Sequence, residues 1–150
     1  MIEVKSELHM QQLGERLGQL LQGNEVIELI GDVGAGKTTL VRGLARGLGA
    51  IETVQSPSFT VSRLYDLGEG RRLAHYDFYR LVDPGIMVDE LAETIGTHGT
   101  VVVIEWAAVV EQVLPGDRLT ITITSPSPTE RVLITTAGGQ SSRYLVEQLG

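Results

Sequence analysis

The stretch LIGDVGAGKTTL, residues 29–40, constrains this chain more than any other. It holds Gly31, four further residues, then Gly36, Lys37 and Thr38, the full G-x-x-x-x-G-K-[ST] pattern of a phosphate-cradling loop. Such a loop needs a strand before it and a helix after it. Its backbone N–H groups turn inward around a phosphate, and the helix adds the positive end of its dipole. Both neighbours are present. EVIELI (25–30) reads as a short, mostly apolar strand, and residues 37–48 read as a helix stopped at Gly49. A bound nucleoside triphosphate follows; the use made of its energy does not.

The rest of the chain fits a sheet built around that loop. Its 150 residues, 42% apolar and 21% charged, suit one α/β domain over 1–150. A P-loop NTPase-like fold is expected, with a mixed central sheet flanked by helices. Residues 6–22 carry Leu8, Leu13, Leu17, Leu20 and Leu21 at helical spacing, with Ser6 as cap and Gly23 as stop. SPSFTVSRLYDL and RRLAHYDFY, joined at Gly68-Glu69-Gly70, read as one hairpin, and RLTITIT with ERVLITT as a second. Unalternating TVVVIEW reads as a buried strand inside a parallel sheet. Short helices are expected at 88–95 and 107–113, and a final one at QSSRYLVEQL.

Composition narrows the function. Net charge is −7, and the densest basic pieces are Arg71-Arg72 and the pair Arg42 and Arg46, too little for tight RNA binding by this chain alone. Any nucleic acid is then held by a partner. The absence of cysteine excludes disulfides, zinc fingers and thiol catalysis. No apolar run approaches the roughly 18 residues of a membrane span, and MIEVKSELHM lacks the form of a secretion signal, so a cytoplasmic protein is expected.

Within the loop, Lys37 reaches the β- and γ-phosphates, Thr38 is placed to ligate Mg²⁺, and Thr39 to touch the α-phosphate. Asp32 has two readings: it faces the attacking water or magnesium, or it caps a turn. Downstream, alternation puts His75, Asp77 and Tyr79 on one strand face. Glu105 follows four apolar residues at the carboxyl end of a strand, where α/β sheets bind ligands and a buried carboxylate needs a partner or a metal. Glu105 and Asp77 are therefore candidate magnesium-side or water-activating groups, with an exposed surface acid as the alternative for each. His75 is either an orienter of Asp77 or a structural histidine. Trp106 is assigned to the core rather than the nucleotide. Arg80, directly after the acidic strand, is the internal candidate for a charge near the phosphates.

GDVGAGKTT, SPSFT, HYDFYRLVDP and VIEW, in that order and at this spacing, resemble the TsaE (YjeE) family, small bacterial ATPases of tRNA threonylcarbamoyladenosine synthesis. LGERLGQLL and LPGDRLTITI extend the resemblance over nearly the whole chain. It implies magnesium on Thr38 and Glu105, and Asp77 as the Walker B-like acid. It also places Ser56 and Thr60 near the γ-phosphate and Met10 beside the adenine. With Gly31, Asp32, Val33, Gly34, Ala35, Gly36, Lys37, Thr38, Thr39 and Arg80 these complete the implied ATP site. The implied partners are TsaB and TsaD, which act on the adenosine 3′-adjacent to the anticodon, with tRNA met only through the complex. Two departures stand out. Ser58 replaces a usual threonine, and DPGIMVDELAETIG lacks the family's Glu-Glu-Leu and Gly-Leu-x-Glu-Tyr pattern.

Rival readings lack their own signatures. A GTPase needs Asn-Lys-x-Asp and Asp-x-x-Gly, and a small-molecule kinase an arginine-rich lid. Neither occurs in the sequence. A nucleotide-gated binding module without turnover is the third alternative.

Overall fold

A computed structural model describes residues 1–51, 62–79 and 85–150. Seven strands among them form one sheet in the order β1 (Ile2–Val4), β7 (Arg131–Ala137), β6 (Leu119–Thr124), β2 (Val26–Ile30), β5 (Thr100–Glu105), β4 (Arg71–Asp77) and β3 (Ser62–Gly68). β6, β2, β5 and β4 are parallel, while the pairings β1–β7, β7–β6 and β3–β4 are antiparallel. The mixed sheet and the second hairpin are as expected, and so is the first from Ser62 onward; the start of its leading strand, 56–61, lies outside the described residues. β5 lies between two parallel neighbours with every residue buried, which is why its sequence shows no alternation.

Both faces are covered. Ile27, Leu29, Leu73, Val101 and Val103 pack on one side with α1 (Glu7–Leu20), α2 (Lys37–Gly47) and α4 (Gln140–Leu149). Val26, Ala74, Tyr76, Val102 and Ile104 pack on the other with α3 (Gly85–Gly96) and a 3₁₀ segment, Ala107–Val113. Ser6 caps α1 as expected, its Oγ accepting from the His9 N–H at 3.0 Å. Leu8, however, is 63% exposed, and the α1 face that packs inward is Met10, Leu13 and Leu17. β1 has no counterpart in the sequence reading; three residues are too few to show a period.

The contact that positions the site is between α1 and α2. A Cβ built on Gly14 would lie 2.3 Å from the Leu40 carbonyl oxygen, on Gly18 2.2 Å from that of Leu44, on Gly43 2.1 Å from that of Gln11, and on Gly47 2.2 Å from that of Glu15. Each helix therefore presents two glycines four residues apart to the other's backbone. Small residues at this spacing let helix axes approach closely. The pairing carries Met10 to the start of α2, where its Cε would lie 3.2 Å from a Cβ on Gly36. No helix among the described residues is long and apolar enough to cross a membrane.

Candidate nucleotide site

The glycine loop joins β2 to α2 as the motif requires. Gly34 and Gly36 have φ of 85° and 106°, left-handed values that only glycine adopts at little cost. The Ala35 N–H donates to the Asp32 carbonyl at 3.0 Å, closing a turn inside the loop. Asp32 and Val33 are exposed at its rim, and Ala35 is buried beneath. Thr38 and Thr39, half-buried, follow Lys37 on the first turn of α2. Beside the loop opens a cleft of about 490 Å³, lined by Ser6 and Met10 of the α1 start, Gly34 to Gly36, Thr39, and Pro128 and Thr129 of the β6–β7 turn. That volume is of the order of a small-ligand pocket.

The carboxylates arrive from the neighbouring strands. β4 and β5 are parallel, and their register sets Asp77 directly beside Glu105 at the carboxyl ends. Alternation turns both toward the face that carries α2, the same face as Leu73 and Val103. Glu105 is 3% exposed. Its Oε1 lies 3.7 Å from Lys37 Nζ, and its Oε2 2.6 Å from His75 Nε2. The exposed-acid alternative is thereby excluded for Glu105. His75, with no exposed surface, orients Glu105 and not Asp77, because the Asp77 carboxylate turns to its own loop and accepts the Tyr79 N–H at 3.0 Å. With Glu105 ionised, Nε2 carries the imidazole proton, and the buried Nδ1 has no hydrogen-bond partner among the described residues. Asp77 is half-buried. Desolvation pushes its carboxyl above the usual range, the Tyr79 N–H opposes this, and the Glu105 charge adds to it.

Lys37 is itself 6% exposed. Its ammonium donates to the Gly31 carbonyl, faces Glu105, and lies 4.5 Å from the ring centroid of Trp106. Trp106 therefore does not belong to the core: it is 37% exposed and lies against Tyr79 with ring centroids 4.9 Å apart and the planes tilted by 48°. Its φ of 58° is left-handed, an outlier for a bulky residue and costly by about 1–2 kcal/mol. The chain turns sharply there from β5 into the 3₁₀ segment, and the indole is aimed over the lysine. One small volume thus collects a phosphate-type loop, a buried cation, two adjacent carboxylates and an aromatic wall.

The chain is similar to known proteins over most of its length. The family model described as "Threonylcarbamoyl adenosine biosynthesis protein TsaE" matches residues 4–133. The chain belongs to the TsaE family. Among its relatives, the "tRNA threonylcarbamoyladenosine biosynthesis protein TsaE" of Streptomyces coelicolor is 40% identical over 115 residues, 76% of this chain and 78% of that protein. The Bacillus subtilis protein of the same description is 40% identical over 126 residues, 83% of this chain and 77% of its own. The crystal structure of Bacillus subtilis YdiB superposes with a TM-score of 0.80 at 32% identity, covering 99% of this chain and 91% of that one.

Of the residues that the resemblance to this family implied, the structure brings together Met10, Gly31 to Thr39, Asp77 and Glu105 at one end of the sheet. Ser56, Thr60 and Arg80 lie outside the described residues. Arg131 is a newcomer to the site. It stands at the start of β7, donates to two loop carbonyls, and lines the cleft. A single basic residue beginning a strand gives no local signal of such a role.

Proposed function

We propose that the chain, as one domain over 1–150, binds ATP with Mg²⁺ and hydrolyses it to ADP and phosphate. This activity supports threonylcarbamoylation of the adenosine 3′-adjacent to the anticodon in tRNA, in partnership with TsaB and TsaD. The observation that carries the reading is the convergence of Asp77 and Glu105 beside Lys37 at the mouth of the glycine loop. Family membership supplies the pathway.

The residues present suit ATP and magnesium. The loop amides, Lys37 and Thr39 are suited to meet the phosphates, the resemblance assigns Ser56, Thr60 and Arg80 to the same role, and Met10 borders the cleft for the adenine. Lys37 reaches the phosphates by exchanging the Gly31 carbonyl and the Trp106 face for phosphate oxygens. Thr38 and Glu105 would hold magnesium, which neutralises charge on the β- and γ-phosphates. Asp77, its carboxyl pushed upward by burial, is suited to accept a proton from the attacking water. His75 fixes Glu105 so that its second oxygen stays aimed at the loop.

Slow turnover by the isolated chain is expected. Arg131 is committed to backbone carbonyls, so any charge for the transferring phosphoryl group beyond the one proposed for Arg80 is assigned to the partner surface. With its net charge of −7 the chain meets tRNA through the complex, in the cytoplasm. The test is phosphate release and repeated rounds of tRNA modification, with TsaB and TsaD from the same organism added or withheld. Partners should raise both. Equal rates with and without them would indicate a self-sufficient ATPase, and binding without phosphate release a gated module.

A further inference from the structure

Arg131 joins two walls of the cleft. Its Nε donates to the Ala35 carbonyl at 3.0 Å and its Nη2 to that of Gly34 at 3.4 Å. Its Nη1 donates to the carbonyls of Ser127, Pro128 and Glu130 at 3.1, 3.3 and 2.8 Å. One guanidinium thus ties the β6–β7 turn to the outer side of the glycine loop, committing its fork of donors to main-chain oxygens. Nε and both Nη1 hydrogens are held on carbonyls in this way and one hydrogen of Nη2 reaches the Gly34 carbonyl, so most of the fork is turned away from the phosphates while its charge stays beside them.

The position of that charge matters because a peptide unit is a dipole. The Ala35 carbonyl belongs to the same peptide as the Gly36 N–H, the donor that opens α2. The Gly34 carbonyl shares its peptide with the Ala35 N–H, which closes the inner turn on Asp32. A cation on the carbonyl end of a peptide polarises it, strengthening the N–H at the other end. Hydrogen bonds from an ionised donor are about twice as strong as neutral ones.

We propose that Arg131 is a positioning residue for phosphate: acting through the Ala35–Gly36 peptide, whose N–H opens α2, it raises the loop's affinity for the phosphates of a nucleoside di- or triphosphate without touching them. The inference deepens the ATP-binding reading and rests on it. Its signature is selectivity, since polarised amides matter to a ligand that carries phosphates and not to a bare nucleoside in the same cleft.

The experiment compares ADP and adenosine binding, by calorimetry and ligand-observed NMR, for the wild-type chain, Arg131→Gln and Arg131→Lys. The glutamine variant should bind ADP about tenfold more weakly, the scale of one charge-assisted hydrogen bond, and adenosine within about twofold of wild type. The lysine variant, with the charge and without the fork, should fall between. If Arg131→Gln does not fold, as judged by its melting curve, the lysine variant decides, with ADP weakened about threefold and adenosine unchanged. Equal losses for ADP and adenosine would make Arg131 a wall brace only, and unchanged ADP affinity would remove it from the site; either overturns the inference. A wild-type chain that binds no ADP would instead overturn the ATP-binding reading.

Discussion

Two halves of the site are built by opposite means. On the α1–α2 side the sequence works by leaving side chains out. Glycines at 34 and 36 let the loop take left-handed turns, and glycines at 14, 18, 43 and 47 let two helices touch backbone to backbone. On the β4–β5 side it works by convergence: His75, Asp77 and Glu105 from two strands meet Lys37 from α2 and the strained Trp106. The difference teaches where a substitution will be felt. A change in the first half moves backbone, so it costs stability or ligand affinity. A change in the second half leaves backbone in place, so it costs chemistry.

The largest expected effect tests the glycine half. In Gly43→Leu a side chain must enter where even a Cβ would meet the Gln11 carbonyl oxygen. Overpacking of this kind should cost about 3 kcal/mol, lowering the melting midpoint by about 6–12 °C by calorimetry. A change under about 2 °C would show that the helices separate freely. Next in size, Lys37→Ala joins the two halves, since this residue opens α2 and meets Glu105. Its ATP affinity should fall at least about tenfold, or 1.4 kcal/mol, with the melting midpoint little altered. Unchanged affinity would detach the loop from nucleotide binding.

The smallest effect concerns pH. Because the folded Asp77 carboxyl is raised above its ordinary 3.8, ionising it works against the fold. The penalty is absent well below that value, grows as pH rises through the folded pKa, and is complete above it. In magnesium-free buffer Asp77→Asn should therefore melt slightly higher than wild type at pH 7, with the gain vanishing toward pH 3; with magnesium restored, its ATP hydrolysis should be slower than wild type. A variant that melts lower at pH 7 would mean that the carboxylate has a stabilising partner.

The first half is more legible in the sequence than the second, for a physical reason. The loop, its strand and its helix are consecutive residues, so their chemistry and spacing are local. Both hairpins and the buried run of β5 are readable in the same way. The glycine spacing on α1 and α2 is visible too, but leucine periodicity passes over it and counts the exposed Leu8. Cross-strand partners depend on register, which no single segment encodes. Proximity in sequence therefore offers Asp77 as the partner of His75, when its partner is Glu105, 30 residues away. Trp106 reads as core because nothing local announces a left-handed turn at a tryptophan. Arg131 gives no sign of its role because its carbonyl partners on the loop lie 96 and 97 residues away.

The claim that the loop half holds the nucleotide and the convergent half hydrolyses it is tested most directly by Glu105→Gln. The substituted amide keeps the shape and an oxygen for His75 while removing the charge beside Lys37. ATP affinity by calorimetry and single-turnover phosphate release with TsaB and TsaD should be measured on the same preparation. Affinity is predicted to stay within about threefold of wild type while hydrolysis falls by about a hundredfold or more, because a carboxylate on metal or water matters most in the transition state. Hydrolysis at the wild-type rate, or a loss of affinity that accounts for the whole loss of rate, would contradict the division.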